Sequence, residues 1–412
     1  MMSLMLSAKS SDISLWRSAG DFSATFRQAL LNKMEYYGSE TSELLLARTV
    51  SALEELTASN DAFCQTCEKL IAAVDTCSEP VSLRELTVSY YAALYGHIGL
   101  YRSAPAFYQA SFRFLQVLAG AVRRYAENRL GLLSRHIPKS ELIALGPAGR
   151  QEFSPFCPLQ LVLVHDQAEH PDEEAISQFG RLIHEGFEAS GLKVDASITP
   201  RNPQWRGSIT EWRLRQTQKL EQGGVDEFVD LFRLADQSTL FCDDGINHEL
   251  NELCSILLKD HSAAMASLVA RVRNISHGIG IMGGLRYEKN GPFRGLFALR
   301  ENALQPLSAS ICALALLKEL ETRTTPQRVR ETLLKRELSV DMAERLLHAW
   351  HALHELRLVR ESHVQPDWSS ESPLYLDINE MDLSEQTLLR ESLDAIGSIQ
   401  RHVAVTYSGM EV

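Results

Sequence analysis

The chain lacks any apolar run long enough to cross a membrane. Its longest charge-free stretch in the tyrosine-rich part, Leu86 to Tyr101, is shorter than the ~18 residues a spanning helix needs and contains Gly96, Gly99 and His97. A secretory leader is not expected either. The start, MMSLMLSAKSSDISLW, has no basic n-region followed by an apolar h-region and a small-residue cleavage site. Excess positive charge is absent too: 41 basic residues face 53 acidic ones, a formal charge of −12, which excludes a general attraction to nucleic acid or to anionic membrane. These absences lead us to expect a cytoplasmic protein with neither nucleic acid nor membrane as partner.

Cysteine is sparse and unpatterned. Seven cysteines in 412 residues are an odd number without framework spacing, which suits a reducing compartment. Cys64 and Cys67 form a CxxC with Cys77 nearby, yet zinc would call for a fourth ligand, and FCQTCEKLIAAV reads as one helix with both cysteines as small, partly buried residues. No metal site is expected. With 45% apolar and 23% charged residues the composition is that of an ordered globular chain, long enough for two or three domains.

What is present is mainly helical periodicity. Residues 1 to about 120 read as helices throughout, with Leu44, Leu45, Val50, Leu53 and Leu56 at helical spacing. Tyr91, Tyr95, Phe107, Tyr108, Phe112 and Phe114 form a dense aromatic group, read as a buried helix pair or a dimer seam, which keeps a homo-oligomer open. A longer helix is expected from about Phe114 to Ile137. Beyond it LQLVLV and KVDASIT read as short strands around the helix EEAISQFGRLIHEGFEASG, with Gly191 at the helix end. Ser208 to Glu211 fits a capping box, and VDLFRLADQSTLF reads as an edge-like strand carrying Asp236. From about Asp244 the helical pattern returns. Thr325 is a cap candidate with Pro326 behind it, Met342, Leu346, Trp350, Leu353 and Leu356 line one stripe, and a last helix spans roughly Ser384 to Tyr407.

The segment with the most chemical content is Leu145 to Asp166, LGPAGRQEFSPFCPLQLVLVHD. Nucleotidyl transfer needs Mg²⁺ to neutralise phosphate oxygens, two carboxylates at i and i+2 on a strand to share that metal, and a glycine turn at a helix N-terminus for the phosphates. The segment resembles the bacterial signal-transduction nucleotidyltransferases related to PII uridylyltransferase and glutamine-synthetase adenylyltransferase, whose motif runs G-S-x-G-R-x-E, a short loop, then D-x-D. Gly146, Gly149, Arg150 and Glu152 match this motif, Pro147 replaces the serine, and Pro158 and Gln160 stand where the two aspartates belong. RNPQWRGSITEW and LADQSTLFCDD are similar to further segments of that family. There the resemblance makes Asp236 the third, catalytic carboxylate, with Ser238 and Cys242 replacing an arginine and a glycine. The helical remainder looks like the family's substrate-binding domain. Many relatives begin with a cyclic-nucleotide-binding domain or CBS domains, but this chain shows no strand-rich pattern for either.

Proline offers no side-chain oxygen and glutamine is neutral, so the charges that would balance Mg²⁺ are gone. Asp166 lies ~20 Å along the strand from Gln160, at ~3.3 Å per residue. Read as a helix, GPAGRQE places Arg150 and Glu152 two apart, facing different ways. An Arg partner is the structural alternative for Asp236. The leading expectation is a degenerate transferase acting in regulation, with Gly146, Gly149, Arg150 and Glu152 bordering a possible nucleotide site and an unidentified protein as partner. An active protein uridylyl- or adenylyltransferase with a rearranged metal site, using Mg²⁺ and a nucleoside triphosphate, is the competing reading. A third is an inert helical scaffold with its partner surface on the aromatic helices.

Other constellations carry less. His348, His351 and His354 drift around a helix, Arg271 and His277 give a loose R-x5-H, and GIGIMGGLRYEKNGPFRG reads as a connector rather than a P-loop. The fold expected is α+β and predominantly helical. It has a helical N-terminal region (1–113), a central nucleotidyltransferase-like mixed-sheet domain (114–245) and a C-terminal helical bundle (246–412).

Overall fold

The computed structural model describes residues 40–77, 79–101, 103–166, 172–222, 225–243, 250, 253, 256–257, 261–280 and 283–410. The expectations for residues 1–39 and for Asp244 lie outside them. The chain opens with helices α1 (Glu40–Thr76), α2 (Pro80–Tyr101) and α3 (Ala104–Leu130). A small sheet region follows, built from β1 (Ser140–Leu145), the four-residue α4 (Gly146–Gly149), β2 (Gln160–His165), α5 (Glu173–Ala189), β3 (Arg206–Ser208), α6 (Ile209–Gln222), α7 (Val225–Leu234) and β4 (Gln237–Cys242). The rest is α8 (Ser262–Asn274), β5 (Phe297–Ala298), α9 (Gln305–Leu317), α10 (Thr325–Leu334), α11 (Val340–Val364), β6 (Tyr375–Leu376) and α12 (Leu383–Met410). The fold is therefore predominantly helical α+β, as the sequence suggests.

The four-stranded sheet has the order β3-β2-β1-β4, with β1 antiparallel to β2 and β4 and β2 parallel to β3. Side chains alternate across a strand, and here both faces are covered. Leu142, Ala144, Leu161 and Leu163 join the core shared with α3, α5 and the C-terminal helices, while Ile143, Leu145, Val162 and Val164 pack with Trp205, Trp212 and Leu234 on the other side. Burial on both faces removes the polar/apolar alternation that would mark a strand. The central strand β1, SELIAL, opens with Ser-Glu and has one β-branched residue, so it lacks the β-rich run that marks β2.

Several boundaries differ from the expectation. The helix expected over Phe114 to Ile137 occupies Ala104–Leu130, with Pro105 in its first turn and Gly131 (φ 58°) ending it, so the division at 113/114 falls inside one continuous helix. KVDASIT is not a strand. Only Val194 bridges Leu159, and the Asp195 carboxylate then accepts the Ser197 N–H and hydroxyl, a local turn that pulls the chain off the sheet. The first half of VDLFRLADQSTLF is α7, because Val225, Phe228, Val229 and Phe232 recur at helical spacing; the strand begins at Gln237, at the sheet edge. Ser208 and Glu211 do form the capping box, with Ser208 N–H donating to Glu211 Oε2 at 2.6 Å and Glu211 N–H to Ser208 Oγ at 3.3 Å. The cap of α10 is Thr324 rather than Thr325: its hydroxyl accepts from Gln327 N–H at 3.3 Å.

The aromatic group is internal. Tyr91, Tyr95, Phe107, Tyr108 and Phe114 are almost wholly inaccessible, so they form no partner surface. Two of their hydroxyls meet α11 instead, Tyr95 Oη donating to Glu361 Oε2 at 2.7 Å and Tyr108 Oη lying 2.7 Å from His354 Nδ1, while Tyr91 Oη pairs with Ser111 Oγ at 2.9 Å. Arg357 Nε donates to Glu361 Oε1 at 2.6 Å, Ser154 Oγ to the same oxygen at 3.0 Å, and Arg357 Nη2 to Cys157 Sγ at 3.1 Å and to Ser154 Oγ. This buried seam joins the N-terminal helices, the loop before β2 and α11. Each charge in it has a partner, as burial demands. His354 is thus an interior residue rather than part of a solvated histidine face, and among the described residues no His, Cys, Asp or Glu group could hold a metal.

Burial drives the His354 imidazole down to about 3, against ~6.5 in an unfolded chain. The unfolded state then binds the extra proton between these values, so the contribution is full above ~6.5 and is lost as pH falls toward 3. Denaturant titrations at pH 7, 6 and 5 should give a stability slope steeper in the wild type than in His354→Gln by up to ~1.4 kcal/mol per pH unit. Parallel slopes would contradict the buried neutral imidazole.

Candidate functional site

Strand register assembles the site. Leu145 at the end of β1 lies opposite Gln160 at the start of β2 and opposite Gln237 at the start of β4. The GPAGRQE turn, the loop carrying Pro158, and Asp236 therefore meet at one end of the sheet. Asp166 leaves the opposite end of β2, its N–H donating to Lys139 O at 2.9 Å, and takes no part.

The turn is shorter than GPAGRQE suggests as a helix. Gln151 adopts φ 59°, a left-handed conformation that reverses the chain after Gly149. Arg150 and Glu152 consequently do pair, contrary to the helical expectation, with Arg150 Nε donating to Glu152 Oε2 at 2.9 Å. Arg150 Nη1 also donates to Asp236 Oδ2 at 2.6 Å, so one guanidinium spans two carboxylates. The remaining oxygens are taken from the C-terminal helices. Arg328 Nη1 on α10 donates to Asp236 Oδ1 at 2.5 Å, and Trp350 Nε1 on α11 donates to Glu152 Oε1 at 2.8 Å. Burial alone would raise both carboxyls, but Arg150 outweighs it at Glu152, as Arg150 and Arg328 do at Asp236, and both stay below the usual carboxylate range.

The glycines have packing reasons of their own. Gly146 has φ 60°, and a Cβ there would crowd Gln160 Oε1; at Gly149 a Cβ would overlap the Asp236 carbonyl oxygen. The first N–H of the turn, from Gly146, donates to Asp236 O at 3.0 Å, and Pro147 has none. Gln160 Nε2 donates to Asp195 Oδ2 at 3.0 Å, an acidic neighbour that the reading of KVDASIT as a strand concealed.

Mg²⁺ chemistry asks for carboxylates that converge on open coordination sites. Here Glu152 and Asp236 converge on Arg150, Pro158 and Gln160 bring no charge, and among the described residues no cluster of three or more His, Cys, Asp or Glu side chains can hold a metal. The residues present do not fit a two-metal carboxylate site.

Beside this ion-pair group lies a cavity of about 410 Å³, within the usual size range for small-ligand pockets. Gly146, Arg150, Glu152 and Asp236 border it; Gly149 sits behind them against the Asp236 backbone. Its other walls come from α7, α8, the turn before α9, α9 itself and α11, and they bring four arginines that the motif did not point to: Arg233, Arg271, Arg300 and Arg357. Their signal in the sequence was only helical spacing. His277, by contrast, packs against Gly397 and does not share the cavity with Arg271.

Residues 106–224 match the family model described as "Putative nucleotidyltransferase DUF294", and residues 262–407 match "Putative nucleotidyltransferase substrate binding domain". No curated protein matches the chain. The sheet end, with its Gly146-to-Glu152 turn, falls in the first match and the walls carrying Arg271, Arg300, Arg328 and Trp350 fall in the second, and the chain belongs to this nucleotidyltransferase-related family.

Proposed function

We propose that this protein is a regulatory, signal-transducing member of its family that takes a nucleotide into the cleft without transferring it, and passes its state to a protein partner. One observation carries the reading. Pro158 and Gln160 bring no carboxylate, and both oxygens of Asp236 are taken, one by Arg150 and one by Arg328, so no carboxylate set is left open for Mg²⁺. Pulling Asp236 toward a metal would leave the buried Arg328 without its carboxylate, which costs ~3–5 kcal/mol for a broken buried pair. The cavity's size and its mixture of arginines with apolar walls support retention of a nucleotide. Among the described residues no helix is long and apolar enough to cross a membrane.

Calorimetric titration of ATP and of UTP should show binding that survives EDTA, and α-labelled triphosphate with Mg²⁺ should yield no nucleotidylated protein. Binding that vanishes with EDTA, or label transfer abolished by Asp236→Ala, would overturn the proposal. Absence of binding under both conditions would move the function to the helical surfaces.

Truncating the lock should cost stability rather than reveal activity. Arg328→Ala leaves the Asp236 carboxylate half-paired, and a loss of ~3–5 kcal/mol in urea unfolding is expected. A loss below ~1 kcal/mol would mean the ion pair contributes no more than a surface one.

A further inference from the structure

We infer that the cleft seats a polyphosphate chain on Arg271 and Arg300, two arginines of the helical wall, in place of a metal; this rests on the nucleotide reading above. The helical faces that line the cavity supply the argument. On α8, Leu268, Arg271 and Val272 recur at i, i+3 and i+4, and they border the cavity together with Ile275 just past the helix end. On the facing wall Arg300 opens a π-helical turn, Arg300–Leu304, ahead of α9, and Leu304 and Ser308 continue along the same side. Such turns are frequent at functional sites because the extra residue re-aims a side chain.

The charges in the cavity are unequally satisfied. Arg150 and Arg357 have carboxylate partners at 2.9 Å or less, and Arg233 shares Asp230 with Lys219. The side chains of Arg271 and Arg300 form no ion pair or hydrogen bond with any described residue, although both border the cavity. In a chain of net charge −12 two such guanidinium groups, Arg271 exposed and Arg300 half-buried, border one cleft. A guanidinium matches phosphate with two parallel donors and keeps its charge at any physiological pH.

The opposite wall explains why phosphate would need them. At the glycine turn the Gly146 N–H already serves Asp236 O, and Pro147 supplies no donor, so the turn is a poor phosphate cradle. Leu268, Val272, Ile275 and Phe232 leave an apolar side for a base. The shared chemistry is a chain of phosphates, carried by a nucleoside triphosphate or by inorganic polyphosphate.

ATP and inorganic tripolyphosphate would be titrated in EDTA into the full chain and into Arg271→Ala, Arg300→Ala and the double variant. Neither side chain has an ion-pair or hydrogen-bond partner among the described residues, so the variants should melt like the wild type. Each single change should weaken ATP by at least ~10-fold, as for a lost charge-assisted hydrogen bond, and the double variant should lose detectable binding. ATP bound equally by all four proteins would overturn this inference and leave the nucleotide reading standing. Tripolyphosphate bound through the two arginines, with ATP refused, would support the phosphate seat and remove the nucleotide. Neither ligand bound by the wild type would overturn both.

Discussion

A buried guanidinium stands between two carboxylates, and most of the structure is arranged to keep it there. Arg150 reaches Glu152 and Asp236 together only because Gln151 turns left-handed and because β1 and β4 end in register. Its partners would still be half-satisfied without the C-terminal helices, whose Arg328 and Trp350 take the remaining oxygens. The ion-pair group therefore holds the sheet region to the helical region. A charge moved out of it would be stranded in a medium that solvates it poorly.

The same logic repeats along α11. Glu361, wholly buried, gathers Tyr95 from α2, Ser154 from the loop before β2, and Arg357 from its own helix. One helix thus carries Trp350, His354, Arg357 and Glu361 inward at successive turns, each meeting a different segment. Hydrophobic packing supplies the bulk of the stability, while these directional contacts fix which segments meet. A cleft whose walls are pinned on both sides presents its arginines at defined positions, which favours binding over large rearrangement.

Much of this was legible in the residues. The helices, the β2 strand, the Ser208 capping box and the family resemblance followed from periodicity, cap chemistry and the order of GPAGRQE, RNPQW and Asp236. The central strand β1 was not: both strands are buried on both faces, but β2 carries the run LVLV, whereas SELIAL opens with Ser-Glu and has one β-branched residue. Nor was the pairing of Arg150 with Glu152: a left-handed glutamine has no sequence signature of the kind glycine gives. Arg300 and Arg328 were silent, and Arg271 stood out only in a loose R-x5-H with His277, for another reason. They lie more than a hundred residues from the motif, and only tertiary packing shows that they share its cleft or its carboxylates.

The central claim is that Glu152 and Asp236 hold arginine rather than metal. Electron paramagnetic resonance of Mn²⁺ added to the full chain, with and without ATP, tests it most directly. The account predicts that the free-ion signal falls only by the amount ATP itself binds. Saturable, stoichiometric Mn²⁺ binding by the protein, lost in Asp236→Asn, would contradict it.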